Sequence, residues 1–180
     1  MRPARDPFRI DSSAVERLRA YGAANASVET SSSDEPIVYA LEIPARLDAV
    51  RPACAFVAEI MRRRGVDGAS ASVVELALFE ACANVIEHSY HFDSTRRFHL
   101  DLLESEDRLT FQIVSGGDGL DPRRLTGVPP AALPVTHREG RGLGLPIIVR
   151  AMDEVHSEQE PDGTNRLILV KHLREAAVEA

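Results

Sequence analysis

One apolar stretch, ELALFEACANVIEHSY, carries a carboxylate, an amide and an imidazole at Glu80, Asn84 and His88. Spacing of i, i+4 and i+8 stacks these three on one side of a helix. Val73, Val74, Ala77, Leu78, Ala81, Val85 and Ile86 surround them. A carboxylate and an amide in such company cost a few kcal/mol, on the order of 2–7 each, unless a polar partner faces them. Solvent or neighbouring side chains would satisfy that need. So would a charged ligand: an amide oxygen can hold Mg²⁺ on a nucleotide's phosphates, and a carboxylate one turn back can polarise a hydroxyl or water. His88 reads as an end-of-helix residue favoured by the helix dipole, not as a catalyst.

Two glycine-rich segments supply the second kind of chemistry. IVSGGDGLDP (113–122) leaves a strand, and Gly116, Gly117 and Gly119 permit a sharp turn and close approach of a flat ligand. A plain glycine turn would have the same composition. EGRGLGLPIIVRAMDEV (139–155) sets Gly140, Gly142 and Gly144 before an apolar helix, with Arg138 and Arg141 beside them. Uncovered amides at a helix N-terminus attract anions, although a glycine-capped connector has the same pattern. No GK[ST] follows, so this is not a Walker A loop, and no βαβ unit surrounds it as a dinucleotide-binding turn requires.

Periodicity gives the elements that must position these residues. Ile37, Tyr39, Leu41 and Ile43 alternate as a half-buried strand. Residues 48–64 are expected as a helix with Pro52 in its first turn and Gly65 as its stop. Residues 70–89 are expected as a second helix, apolar nearly all round and therefore buried. Two alternating strands around Phe98–Leu102 and Leu109–Ile113 flank an ESED hairpin turn. A loop runs from 122 to 142, a helix from 144 to 153, and a last strand from Leu167 to Val170. The fold class is then α+β: a two-layer sandwich with a mostly antiparallel or mixed sheet covered by helices on one face.

Ahead of this domain, residues 1–35 hold a short helix with a Ser13–Glu16 capping box and a Val15, Leu18, Tyr21 stripe, then a polar linker at 30–36. The main domain spans 36–173, and 174–180 form a tail. The chain has 180 residues, is 44% hydrophobic and carries a formal charge of −7. It is long enough for one buried core, and it lacks the clustered cations that nucleic acid demands. No apolar run is counted as long enough to cross a bilayer, and no signal core precedes the domain, so the expected location is the cytoplasm, without direct nucleic-acid or membrane partners. Cys54 and Cys82 lack metal-ligand spacing and are expected as free thiols.

In order and spacing, ExxxN on a helix, GGxGLDP after a strand and GxGLGL opening a helix together resemble the Bergerat ATP-binding fold of the GHKL, or histidine-kinase-like, ATPases. EACANVIEHSY and GRGLGLPIIVRAMDEV are similar to the anti-sigma-factor serine/threonine kinases among them. The resemblance covers residues 36–173. It implies ATP and Mg²⁺ as cofactors, Glu80 as general base and Asn84 as the Mg²⁺ ligand. It places Gly117 and Gly119 at the adenine pocket, residues 123–139 as a nucleotide lid, and Arg141, Gly142, Leu143 and Gly144 against the phosphates. Thr164 matches a threonine near adenine. The implied partners are a sigma factor and an anti-anti-sigma antagonist that is phosphorylated on Ser or Thr, with a homodimer as the expected assembly. One position departs: Ser115 stands where the family pattern has an adenine-reading Asp. A hydroxyl forgoes the charge-assisted part of that hydrogen bond, about 1–2 kcal/mol. The alternative is therefore a non-catalytic partner-binding module on the same fold.

Overall fold

A computed structural model describes residues 37–117 and 144–173. Five antiparallel strands form one sheet in the order β1-β2-β3-β5-β4: β1 is Ile37–Pro44, β2 Arg97–Glu104, β3 Arg108–Ser115, β4 Glu154–Gln159 and β5 Asn165–His172. Alternation along each strand puts Phe98, Leu100 and Leu102 of β2, Leu109, Phe111 and Ile113 of β3, and Leu167 and Leu169 of β5 on one face. These pack into a single core with α1 (Leu47–Arg63), α2 (Gly68–Asn84) and α3 (Gly144–Ala151). The α+β, two-layer architecture expected from the sequence is what forms.

Local chemistry explains the helix boundaries. Gly65 ends α1 at φ +77°, with the Gly65 and Val66 amides closing on the Arg62 and Met61 carbonyls. Asp67 opens α2 by accepting the Ser70 amide at 2.9 Å. Hydrogen bonding with the Ser70 side chain, and then with its amide, holds the Asp67 carboxyl below its ordinary range. At the same C-terminal end of α1, Glu104 is almost wholly buried and receives Tyr39 Oη at 3.0 Å and Arg63 Nη2 at 2.8 Å. With Arg64 Nη1 at 3.4 Å, this cluster ties the helix to β1 and β2. Cys54 and Cys82 are free and buried, as expected; a hydrogen bond with Cys54, together with burial, pushes the Cys82 thiol well up.

Four expectations need correction. Pro52 lies beyond the first turn, because α1 begins at Leu47; its ring is exposed, and the helix forgoes one internal hydrogen bond there. Helix α2 is not buried all round: Val73 is 48% and Leu76 47% exposed, since α1, the sheet and α3 cover only part of its circumference. The stretch Gly68–Ser89, with 22 residues and mean hydropathy 1.5, is in fact long and apolar enough to span a bilayer by length and composition. It serves instead as the central core helix, packed against α1 and α3. Finally, the helix expected to run to 153 stops at Ala151, and Glu154–Gln159 form edge strand β4. A strand so polar has only Val155 packed on the core, too little alternation to recognise from sequence.

Phe111 lies on the central strand with no exposed surface. Phe111→Ala is expected to lower unfolding free energy by about 3–5 kcal/mol in urea titrations. Val73→Ala, on the open side of α2, should change it by less than about 0.5 kcal/mol.

Candidate active site

Helix α2 carries Glu80 and Asn84, both half-buried, one turn apart. Directly after Asn84 the helix widens into a π turn, Val85–Ser89, in which the Tyr90 amide reaches the Val85 carbonyl at 3.0 Å. The extra residue per turn rotates the next side chains off the stripe. His88 is accordingly exposed and leaves the line through Glu80 and Asn84. The chain then passes through His91 and Phe92 in the left-handed region, at φ +48° and +61°.

Both glycine segments come against this helix. At the start of α3, a Cβ on Gly144 would stand 2.7 Å from Glu80 Oε2 and 3.5 Å from Glu80 Cβ. The Glu80 carboxylate therefore lies against the first residue of a helix whose leading amides have no intrahelical acceptor, a favourable place for negative charge. At the end of β3, Gly117 takes φ +90°, and a Cβ there would stand 2.6 Å from the Ser89 carbonyl oxygen. The π turn and the first glycine segment thus meet at backbone distance.

Two side chains that sequence reasoning passed over hold that second meeting together. Tyr90 is buried; its hydroxyl donates to the Arg97 carbonyl at 2.9 Å and accepts the Gly116 amide at 3.1 Å. The Arg96 guanidinium lies 4.8 Å above the Tyr90 ring and brings a cation beside Gly116. Asn165, opposite Ser115 across β3 and β5, donates from Nδ2 to the Gly117 carbonyl at 2.6 Å and to the Gly163 carbonyl at 3.4 Å. Tyr90 reads in sequence as the end of an apolar helix and Asn165 as part of a turn. Asn165 has one visible signal, an amide two residues after Gly163, and Tyr90 has none.

Ser115 continues the Leu109, Phe111, Ile113 row, so its hydroxyl stands on the helix-covered face, 6% exposed. Thr164 adjoins Asn165; its amide is held by Asp162 Oδ1 at 2.9 Å. The structure thereby brings Glu80 against Gly144, and Gly117 against Ser89 and Asn165, with Asn84 one turn past Glu80 on α2 and Ser115 and Thr164 beside the joined ends of β3 and β5. Gly119, Arg141, Gly142, Leu143 and the 123–139 loop lie outside the described residues. Among the described residues no group of three His, Cys, Asp or Glu side chains could hold a metal. A cation here would rely on the Asn84 amide oxygen together with ligand oxygens.

Comparison with known proteins bears on this convergence. Residues 43–171 match the family described as the histidine kinase-like ATPase domain. A serine-protein kinase RsbW from Halalkalibacterium halodurans is 28% identical over 150 residues, covering 81% of this chain and 89% of that protein. The RsbW of Bacillus cereus is 26% identical over 142 residues, covering 77% of this chain and 87% of the relative. Among solved structures, one chain of the SiaB–SiaC complex from Pseudomonas aeruginosa superposes with a TM-score of 0.59 at 14% identity. It covers 88% of this chain and 98% of its own, which is a likeness of fold.

The two close approaches predict opposite costs. Gly117→Ala must place a side chain at positive φ against a backbone oxygen and is expected to destabilise by about 1–3 kcal/mol in urea unfolding. Gly144→Ala meets only the end of a side chain that can swing aside. Its stability should stay within about 1 kcal/mol of the parent, while the displaced carboxylate impairs whatever Glu80 does.

Proposed function

Because the chain belongs to the histidine kinase-like ATPase domain family, we propose that it is a Mg-ATP-dependent serine/threonine protein kinase of the anti-sigma-factor type. In the cytoplasm it would bind a sigma factor and phosphorylate an antagonist protein, as a partner switch. The observation that carries this reading is the Glu80 carboxylate set against the glycine start of α3, with Asn84 one turn further along the same helix. The names of the RsbW relatives, serine-protein kinases, support the reaction class.

The residues present fit the implied ligands. Gly117 and Gly144 let the Ser89 carbonyl and the Glu80 carboxylate come up against the backbone, and Asn84 offers a neutral oxygen suited to a hard cation. ATP, when bound, would supply the phosphoryl group, with Asn84 placed to hold a Mg²⁺ that offsets its charge. Glu80 would accept the proton of the incoming Ser or Thr hydroxyl as its oxygen bonds the γ-phosphorus and the bond to the departing ADP breaks. The leading amides of α3 favour negative charge beside them. Arg141, Gly142, Leu143 and Gly144 are assigned to the phosphates; Ser115, Gly117, Gly119 and Thr164 are assigned to the adenine side. Tyr90 and Asn165 fix the Gly116–Gly117 backbone from either side and leave that turn little freedom to collapse into the site.

One observation favours a second reading. Ser115 offers a hydroxyl where the family pattern has a carboxylate, which suits a module that binds partners without turning over nucleotide. Calorimetric titration with Mg-ATP separates the two. The kinase reading expects saturable binding at or below millimolar ATP, and the absence of binding there removes it. Glu80→Gln should retain nucleotide affinity within about threefold while cutting phosphate transfer to the antagonist at least a hundredfold, in line with a lost general base. Ser115→Asp is expected to tighten ATP about tenfold, equivalent to about 1.4 kcal/mol, and to widen the preference for ATP over GTP.

A further inference from the structure

The sheet has a second face, and it too is buried. Side chains of β2, β3 and β5 that alternate with the core row point away from α1, α2 and α3. In register they form two rows across the three strands: Asp101, Gln112 and Ile168, then Leu103, Thr110 and Val170. Each of the six is at most 4% exposed, as deeply buried as the core. Leu103, Ile168 and Val170 nonetheless belong to no part of the cluster that the helices share. No described helix packs there, and neighbouring side chains within one sheet do not shield a face this completely.

We propose that residues 1–36 form the missing layer, with the Val15, Leu18 and Tyr21 stripe docked on this face within the same chain. Three observations select this segment. The chain between Gly117 and Gly144 leaves beside Ser89 and returns beside Glu80, so both of its ends lie on the helix-bearing side. Residues 174–180 are seven positions with Val178 as their one large apolar side chain, too little to cover six buried positions on three strands. Residues 1–36 instead carry the apolar Val15, Leu18 and Tyr21, and they join the sheet at Ile37, one strand from Leu103.

Reach is sufficient. The polar linker 30–36, at about 3.3 Å per residue, spans roughly 23 Å. Crossing from β1 to β5 at strand spacings near 4.8 Å takes about 14 Å. The segment lies outside the span 43–171 that matches the family, so this layer would be an addition of this chain to the shared domain. It would withdraw the sheet's second face from contact with a second copy or a partner. The proposal stands whether or not the site binds nucleotide.

Its test uses the full chain with Thr110→Cys and measures maleimide labelling, the native Cys54 and Cys82 being buried. Slow labelling at a monomeric mass is expected, rising at least tenfold when Leu18→Asp is added and unchanged by Ser32→Asp in the linker. Fast labelling of the single variant overturns the proposal, as does indifference to Leu18→Asp. Protection that appears only as the chain dimerises assigns the cover to a second copy and overturns it equally. Should Leu18→Asp prevent folding, a Leu18→Cys, Thr110→Cys pair joined by a short bis-maleimide decides: an intramolecular cross-link is expected, and its absence refutes the docking.

Discussion

Helix α2 and the two glycine segments approach one another at distances that no Cβ would tolerate, and the candidate site depends on that constraint. At Gly117 the obstacle is a backbone carbonyl, so the glycine is required by both its positive φ and its neighbour. At Gly144 the obstacle is the Glu80 carboxylate. The first contact fixes the shape of the site's floor, and the second decides where its charge sits. Removing either glycine's freedom acts on a different link, structure in one case and chemistry in the other.

The sheet makes these meetings possible. β3 and β5 pair centrally, so Ser115 and Asn165 come opposite each other at the strand ends closest to the π turn. The Asn165 amide then spans from the end of one strand to the turn before the other, holding the Gly117 and Gly163 carbonyls. Tyr90 does the same from the helix side, and its aromatic body is buried so that the hydroxyl has no freedom to wander. The π turn reconciles a long apolar helix with this arrangement: it retains Glu80 and Asn84 on the site and turns His88 out to solvent.

Far from the site, the Glu104 cluster anchors the end of α1 to the β1–β2 edge, and the hydrophobic row of β3 seats α2. A carboxylate buried so deeply is tolerable because three donors surround it. The polar stripe of α2 solves the same problem differently. Its groups stay half-buried at the rim, where the glycine starts of other elements leave them accessible. One carboxylate is spent on holding the fold, and the other is left available for chemistry.

The sequence by itself determined the order of the three core helices and of four of the five strands, the helix-facing rows of β2 and β3, the stop at Gly65 and the glutamate–asparagine stripe. Each of these is written in short-range periodicity or in a single residue's backbone preference. Ser115, Gly117, Gly144 and Thr164 were legible as candidates through motif order, without any indication of what they touch. Tertiary structure alone decided that Gly144 meets Glu80 and that Gly117 meets Ser89. It also decided that Tyr90 and Asn165 secure the intervening turn, that β4 completes the sheet and that one side of α2 stays open. Those outcomes depend on contacts between residues far apart in the chain, and local pattern carries no record of which distant partner a polar group will find.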